Sequence, residues 1–345
     1  MTRMESNEIK AYSIQGVKDI LGEAGMPTFR ATQVLDWLYA KRATSYASMT
    51  NLPKNMRENL AASYPLFVPE VVDRQLSADG TRKYLLRFHD GALAETVGLP
   101  SSDGRLSVCC SSQSGCAMAC SFCATGKNGL TRNLLPGEIV DQVNVVAEDF
   151  GSRVTNVVVM GQGEPFANYD NVIAALEILN DKELLDIGAR HITVSTCGLT
   201  QGIERFSEEG KQYTLAVSLH SAVQKTRDTL MPRIKNIPLS VLRSALVDYT
   251  EHTNRRFSFE YALMKGVNDS EEDLRALIEF AQGLLCHVNI IPLNKVAGSP
   301  YQPCSTDVHN LWVQKLEYAG IPATIRRSRG SDIDGACGQL ANQHI

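Results

Sequence analysis

Long apolar runs are missing from this sequence. No stretch approaches the roughly 18 uninterrupted apolar residues of a membrane-spanning helix, which excludes a helical membrane protein. The opening residues, MTRMESNEIKAYSIQG, lack the apolar core of a secretory signal, so a cytosolic protein is expected. An excess of one charge is also lacking. The 34 Lys and Arg against 38 Asp and Glu leave a formal net charge of −4. That argues against non-specific coating of nucleic acid, while leaving room for a local basic groove. No repeat of fixed period and no low-complexity tract is present, which removes solenoids and fibrous folds. The nine cysteines are an odd number. In a reducing compartment they make a poor disulfide framework and read better as metal ligands or catalytic groups.

What is there is ordinary for a globular protein. Hydrophobic residues are 43% and charged residues 21% of a 345-residue chain. At roughly 150 residues per domain, that length fits about two domains, or one barrel with an appendage. Residues 10–65 read as helical. Pro27 can open a helix. Phe29, Val34, Leu35, Trp37 and Leu38 follow at helical spacing, with Arg30, Lys41 and Arg42 outside. A second helix is expected from Pro53 through Leu60. Alternating segments at 84–88 and 92–97 flank Asp90-Gly91, a strong hairpin signal.

From about residue 105 the pattern changes. Short apolar runs at 106–110, 156–160, 191–195, 213–219, 257–263, 287–292 and 323–327 alternate with helical patterns at 137–150, 171–180, 202–209, 240–252, 271–284 and 307–319. Strand–helix alternation of this kind predicts an α/β fold with a parallel sheet, here a barrel or partial barrel. Polar residues fall at the ends of the runs: Gly163 and Glu164 after the second, Ser195 at the end of the third, Ser218, Leu219 and His220 at the fourth, Asn294 after the sixth. In barrels the site lies at the C-terminal rim of the strands, so these segments should converge on one mouth. Each could instead merely cap a turn.

The strongest motif follows the first run. Cys116, Cys120 and Cys123 are spaced C-x3-C-x2-C within eight residues. Close spacing lets successive thiolates reach one metal centre. Three thiolates on a [4Fe-4S] cluster would leave one iron free for an outside ligand. Structural zinc with a fourth ligand such as Cys109 or Cys110, and a Cys120–Cys123 redox pair, are the alternatives.

The motif, with its aromatic Phe122 before the last cysteine, resembles the radical S-adenosylmethionine (SAM) superfamily. The resemblance narrows on further segments. Residues 109–123 read CCSSQSGCAMACSFC, residues 161–165 GQGEP and residues 330–340 GSDIDGACGQL; with Phe29-Arg30-Ala31 they resemble the RlmN family of adenine C2 RNA methyltransferases over nearly the whole chain. Gln162 stands where that family usually has Met, and Cys110 where it usually has Val or Ile.

The resemblance implies a radical SAM partial (βα)6-type barrel with a small N-terminal helical domain. The expected division is 1–70 helical and RNA-binding, 71–104 hairpin extension or linker, 105–330 barrel, and 331–345 a C-terminal loop. It implies that Cys116, Cys120 and Cys123 hold a [4Fe-4S] cluster whose open iron takes SAM. Gly163, Glu164, Ser195, Ser218, Leu219, His220 and Asn294 would contact the SAM. Cys337 would be the cysteine that becomes S-methylated. That suits the chemistry, since adenine C2 is electron-poor and cannot itself attack a sulfonium methyl, whereas a thiolate can. A 5′-deoxyadenosyl radical from a second SAM would then activate the S-methyl group. Glu95 would accept the ring proton, and Cys109 would resolve the enzyme–RNA link through a transient Cys109–Cys337 disulfide.

Arg132, Arg326, Arg327 and Arg329, with Arg30, Lys41 and Arg42, are candidate phosphate contacts. The implied partners are 23S rRNA at the peptidyl-transferase centre, tRNA next to the anticodon, and an external electron donor such as flavodoxin. The enzyme is expected to be cytoplasmic and monomeric. A Cfr-like adenine C8 methyltransferase and a non-catalytic, zinc-stabilised RNA-binding protein stand as alternatives.

Overall fold

The computed structural model of the chain describes residues 7–342; residues 1–6, and 343–345 of the expected C-terminal loop, lie outside it. Ser13 starts α1 (Ile14–Glu23) by accepting the Gly16 N–H at 3.1 Å, which fills one of the donors a helix start leaves bare. Pro27 precedes α2 (Thr28–Leu35), which continues through a wider π-type turn at Asp36–Ala40. Pro53 precedes α3 (Lys54–Ser63). Val34, Leu35 and Leu38 are buried as their spacing predicts. Phe29 is not. It lies on the outer side of the first turn of α2, 56% exposed, under the guanidinium of Arg30.

β1 (Glu70–Leu76), β2 (Arg82–Arg87) and β3 (Leu93–Pro100) form an antiparallel meander. Asp90-Gly91 makes the β2–β3 turn, with Gly91 at φ 85°. The meander is not a free-standing hairpin. β3 pairs with β4 (Leu106–Cys109), so the three strands continue the main sheet. A two-stranded ribbon follows, β5 (Gln113–Gly115) with β6 (Leu130–Asn133).

The alternating units come next: α4 (Pro136–Phe150), β7 (Asn156–Val159), α5 (Tyr169–Asn180), β8 (Ile192–Thr196), α6 (Thr200–Glu208), β9 (Thr214–Ser218), α7 (Gln224–Leu230), α8 (Leu239–Thr253), β10 (Phe257–Leu263), α9 (Glu271–Ala281), β11 (Cys286–Pro292), α10 (Thr306–Tyr318) and β12 (Ala323–Ile325). The sheet order is β1-β2-β3-β4-β7-β8-β9-β10-β11-β12, parallel from β4 onward, and its two ends do not pair. This is the expected α/β partial barrel. Helices cover the outer face, so strands such as β9 and β10 are buried on both sides over most of their length and read as apolar runs rather than alternating ones. No helix among the described residues is long and apolar enough to cross a membrane.

The helical segment is fastened to the barrel by a buried ion pair. Lys10 Nζ lies 2.7 Å from Asp141 Oδ1 on α4, and both side chains are out of solvent. Removing one partner of such a pair strands the other charge in a low-dielectric setting. Lys10→Ala should therefore lose about 3–5 kcal/mol of stability, read as a lower urea midpoint. A loss under about 1 kcal/mol, the worth of an exposed pair, would refute the assignment.

Candidate active site

A cavity of about 460 Å³ opens at the C-terminal ends of the parallel strands. The cysteine loop between β5 and β6 forms one wall. It is held by backbone bonds: Cys116 N–H to the Gly129 carbonyl at 2.8 Å, Cys123 N–H to Cys120 at 3.1 Å, and Ser121 N–H to Leu230 of α7 at 2.9 Å. Cys116, Cys120 and Cys123 all line the cavity. Burial pushes the Cys116 thiol up to about 11 and raises Cys120 further, and the neighbouring cysteines add to both shifts. The Cys116 and Cys120 thiols thus hold their protons unless a cation replaces them. Among the described residues, no set of three or more His, Cys, Asp or Glu side chains closes around a single metal ion.

The opposite wall comes from the strand ends. Gly163 sits at φ 100°, and a Cβ there would come within 2.6 Å of the Gln113 side chain, so only glycine fits. Glu164 is 3% exposed. Its Oε2 accepts the Cys197 N–H at 2.7 Å and its Oε1 the Phe166 N–H at 3.0 Å. Burial raises its pKa, and these backbone donors oppose that rise. Ser195 Oγ and Ser218 Oγ lie 3.5 Å apart on adjacent strands. His220 takes up a left-handed φ of 54° and accepts the Ala262 N–H on Nδ1 at 3.1 Å. Burial, with help from the Arg227 charge, brings it down to about 3, so it stays neutral. Leu219 between them differs: its side chain belongs to the core, and only its neighbours reach the cavity.

Cys109 ends β4 and faces the cavity, whereas Cys110 is fully buried away from it. Burial pushes Cys109 up to about 12. The nearby Cys337 adds to the rise and Arg326 opposes it. Cys337 lines the same cavity, in a tail after β12, and both thiols are free. Asn294 donates its amide to the Cys337 carbonyl at 3.1 Å. Gln162, which departs from the family pattern, is buried and accepts the Glu95 N–H at 3.1 Å.

Glu95 is not on the cavity wall. It is 1% exposed, 3.2 Å from Lys83 Nζ, and its Oε2 accepts the N–H groups of Ala341 and Asn342 at 2.7 and 3.0 Å. It latches the tail that carries Cys337. No local pattern marks this latch, because its partners lie 246 positions apart in the chain.

The arginines also sort differently from their expected roles. Arg132 is saturated by Asp90 and Glu138, and Arg329 by the carbonyls of Pro100 and Asp79, so neither is free for phosphate. Arg326 turns inward: its Nη1 lies 3.2 Å from Met160 Sδ and 3.4 Å from Glu260 Oε2, and the Cys337 charge raises its pKa. Arg327 is exposed at the cavity mouth. Sequence reasoning missed Arg227, buried beside the cysteine loop, because α7 is a short polar segment without a periodic apolar face.

Comparison with known proteins agrees with this architecture. Residues 110–280 match the radical SAM superfamily, and residues 8–65 match the ribosomal RNA large subunit methyltransferase N-terminal domain. The chain is 41% identical over 335 residues to a probable dual-specificity RNA methyltransferase RlmN of Clostridium novyi (strain NT), covering 97% of each. It is 46% identical over 335 residues to one of the same description from Geobacillus kaustophilus (strain HTA426), covering 96% of this chain and 92% of the relative. Among solved structures, a radical SAM methyltransferase from Sphaerobacter thermophilus superposes with a TM-score of 0.91 at 43% identity, over 97% of this chain and 99% of that one. The chain belongs to the RlmN family of the radical SAM superfamily.

Proposed function

We propose that this chain is a cytoplasmic, monomeric enzyme that methylates carbon 2 of adenine in RNA, acting on 23S rRNA at the peptidyl-transferase centre and on tRNA beside the anticodon. The observation that carries the reading is the shared cavity. Cys109, Cys337 and the three-cysteine loop all open into it, with Gly163, Glu164, Ser195, Ser218, His220 and Asn294 around them.

The donor set fits an iron–sulfur cluster. Three thiols line one cavity, Cys120 among apolar neighbours, each free to bind its own iron, so they need not converge on one ion as zinc ligands do. When bound by Cys116, Cys120 and Cys123, a [4Fe-4S] cluster supplies the electron that cleaves SAM, with an external donor of the flavodoxin class renewing it. Gly163 and Glu164 would receive the amino end of SAM, an ammonium against a carboxylate. Ser195, Ser218, the Leu219 backbone, His220 and Asn294 would hold the rest.

Cys337 takes the first methyl by displacement at the sulfonium. After that methyl gives up a hydrogen atom to the 5′-deoxyadenosyl radical of a second SAM, its carbon bonds to the ring carbon, and the odd electron left on the ring would return to the one-electron centre that Cys116, Cys120 and Cys123 would hold. Glu95 accepts the ring proton once the tail latch opens. Cys109 then attacks the Cys337 sulfur, so that the S–S bond forms as the carbon–sulfur bond breaks; the freed carbon keeps the electron pair and takes a proton to become the methyl group, and an external thiol reduces the disulfide before the next turnover. An adenine in folded RNA must leave its stack to reach the cavity.

Mass spectrometry of nucleosides from RNA treated with the enzyme and SAM tests the reading: 2-methyladenosine is expected, and 8-methyladenosine would overturn it. Arg327 at the mouth is the proposed phosphate contact. Arg327→Ala should weaken RNA binding and reduce the log–log salt slope by about 1. An unchanged slope would remove Arg327 from the interface.

A further inference from the structure

Arg227 on α7 is among the largest fully buried side chains of the protein, 0% exposed. Its Nη2 donates to the Cys197 carbonyl at 2.7 Å. Its Nε and Nη1 have no hydrogen-bond partner. A buried guanidinium with two vacant donors is costly unless an anion answers it. No carboxylate does. Asp228, the next residue, accepts from Gln224 at 2.7 Å, and both oxygens of Glu164 are taken by backbone N–H groups.

The charge stands against the cysteine loop. The Leu230 carbonyl, one turn along α7, accepts both the Ser121 N–H at 2.9 Å and the Ser121 hydroxyl at 3.2 Å, which pins the residue after Cys120 to this helix. Around it Cys197, Leu230, Met231 and Ile234 pack with Cys120, Met118 and Phe122. Cys197, whose carbonyl holds the Arg227 Nη2, packs in the same cluster as Cys120. Arg227 does not itself line the cavity, whereas Cys120 and Cys197 do. A ligand in the cavity therefore meets the cysteines first, and the guanidinium lies behind them.

We propose that Arg227 is the buried counter-charge of the cluster, its unpartnered Nε and Nη1 donating to the sulfur of metal-bound Cys120 and favouring the reduced state. The inference rests on the reading of Cys116, Cys120 and Cys123 as cluster ligands. A cluster core held by three thiolates is an anion, and reduction adds one more negative charge. Net charge and hydrogen bonds to the sulfurs set its potential. The planar guanidinium, always charged and weakly hydrated, suits a dry site of this kind better than an ammonium. Arg227 is thus a positioning and tuning residue, outside the bond-making groups.

The test uses full-length protein purified anaerobically without SAM, as wild type, Arg227→Met and Arg227→Lys, each cluster-loaded and cluster-stripped. In an EPR-monitored redox titration, Arg227→Met should lower the reduced-to-oxidised ratio at a fixed potential by about tenfold or more, about 59 mV for a one-electron couple. Arg227→Lys should fall between the two. In melting experiments the Met variant should match or exceed wild type when stripped, because an unpaired buried charge is gone, and fall below it when loaded. A merely structural arginine would instead lower both melting temperatures alike. An unmoved potential in a fully loaded Met variant, or equal thermal losses in both forms, overturns the proposal. Should the Met variant load incompletely, Arg227→Gln is compared with Arg227→Lys: a lower potential for Gln supports the proposal and equal potentials overturn it. Wild-type protein that never acquires about four irons defeats the cluster reading itself and this inference with it. Normal wild-type loading with an unmoved variant defeats only the role of Arg227.

Discussion

Replacing Cys337 with alanine is expected to abolish RNA methylation, by on the order of a thousandfold or more, while cleavage of SAM continues. The two activities separate because the tail touches the cysteine loop through main-chain groups, so the thiol of Cys337 can be removed without disturbing either segment. The tail that carries Cys337 is anchored through its backbone and not through its thiol. Asn294 binds the Cys337 carbonyl, the Ala124 N–H binds the Gly338 carbonyl at 2.8 Å, and the Thr125 hydroxyl binds the Leu340 carbonyl at 2.7 Å. Glu95 takes two further backbone N–H groups beyond them. Alanine at 337 keeps every one of these bonds and removes only the nucleophile. The three-cysteine loop, bonded to this tail through Ala124 and Thr125, keeps its place. Release of 5′-deoxyadenosine, followed by chromatography, should persist while methylated adenosine disappears. Full methylation by the variant would refute the acceptor role.

The second large effect concerns release. Cys109→Ala should leave a covalent protein–RNA adduct, seen as a retarded, ribonuclease-sensitive band, with multiple turnover reduced on the order of a hundredfold or more. Cys110→Ala should turn over like the wild type. The distinction comes from strand geometry, since successive side chains leave a strand on opposite faces. Cys109 meets the cavity and Cys337, and Cys110 is sealed in the core. The pH dependence has a definite sign. Burial and the neighbouring Cys337 push Cys109 up to about 12, so at neutral pH it is a thiol. Only the thiolate attacks sulfur. In single turnover, adduct release should therefore rise with pH, approaching tenfold per unit between about pH 7 and 9, far below that pKa. A flat profile would mean that a base lowers the thiol's pKa in the complex. Equal trapping by Cys110→Ala would show that the two thiols exchange roles.

Much of the site was legible along the chain. The spacing of Cys116, Cys120 and Cys123, the Gly163-Glu164 pair, and the serines at strand ends are local patterns. Their convergence followed from the strand–helix alternation, which puts strand ends on one rim. Gly163 is dictated locally, because its backbone conformation and its contact with Gln113 admit no side chain. Leu219 is the exception within that set. It falls at the right position in the sequence, yet its side chain turns into the core while its neighbours face the cavity.

Charged residues behaved otherwise. Arg132, Arg326, Arg327 and Arg329 look alike in sequence, yet one joins an ion-pair network, one turns inward towards Cys109 and Cys337, one is solvent-facing and one clamps backbone carbonyls. Glu95 looks like a surface carboxylate on a strand and proves to be a buried latch. Nothing adjacent to Arg227 signals that it lies behind Cys120.

The sequence by itself determined the strand and helix order, the barrel class and the close spacing of three cysteines, because periodicity and loop spacing are properties of neighbouring residues and survive whatever the chain packs against. Tertiary structure alone decided which carboxylate grips the tail, which of two adjacent thiols meets Cys337 and which arginine is left with empty donors. Those outcomes depend on partners brought together from distant segments, where burial removes water as the alternative partner and each charge must be answered by whatever the fold has placed beside it.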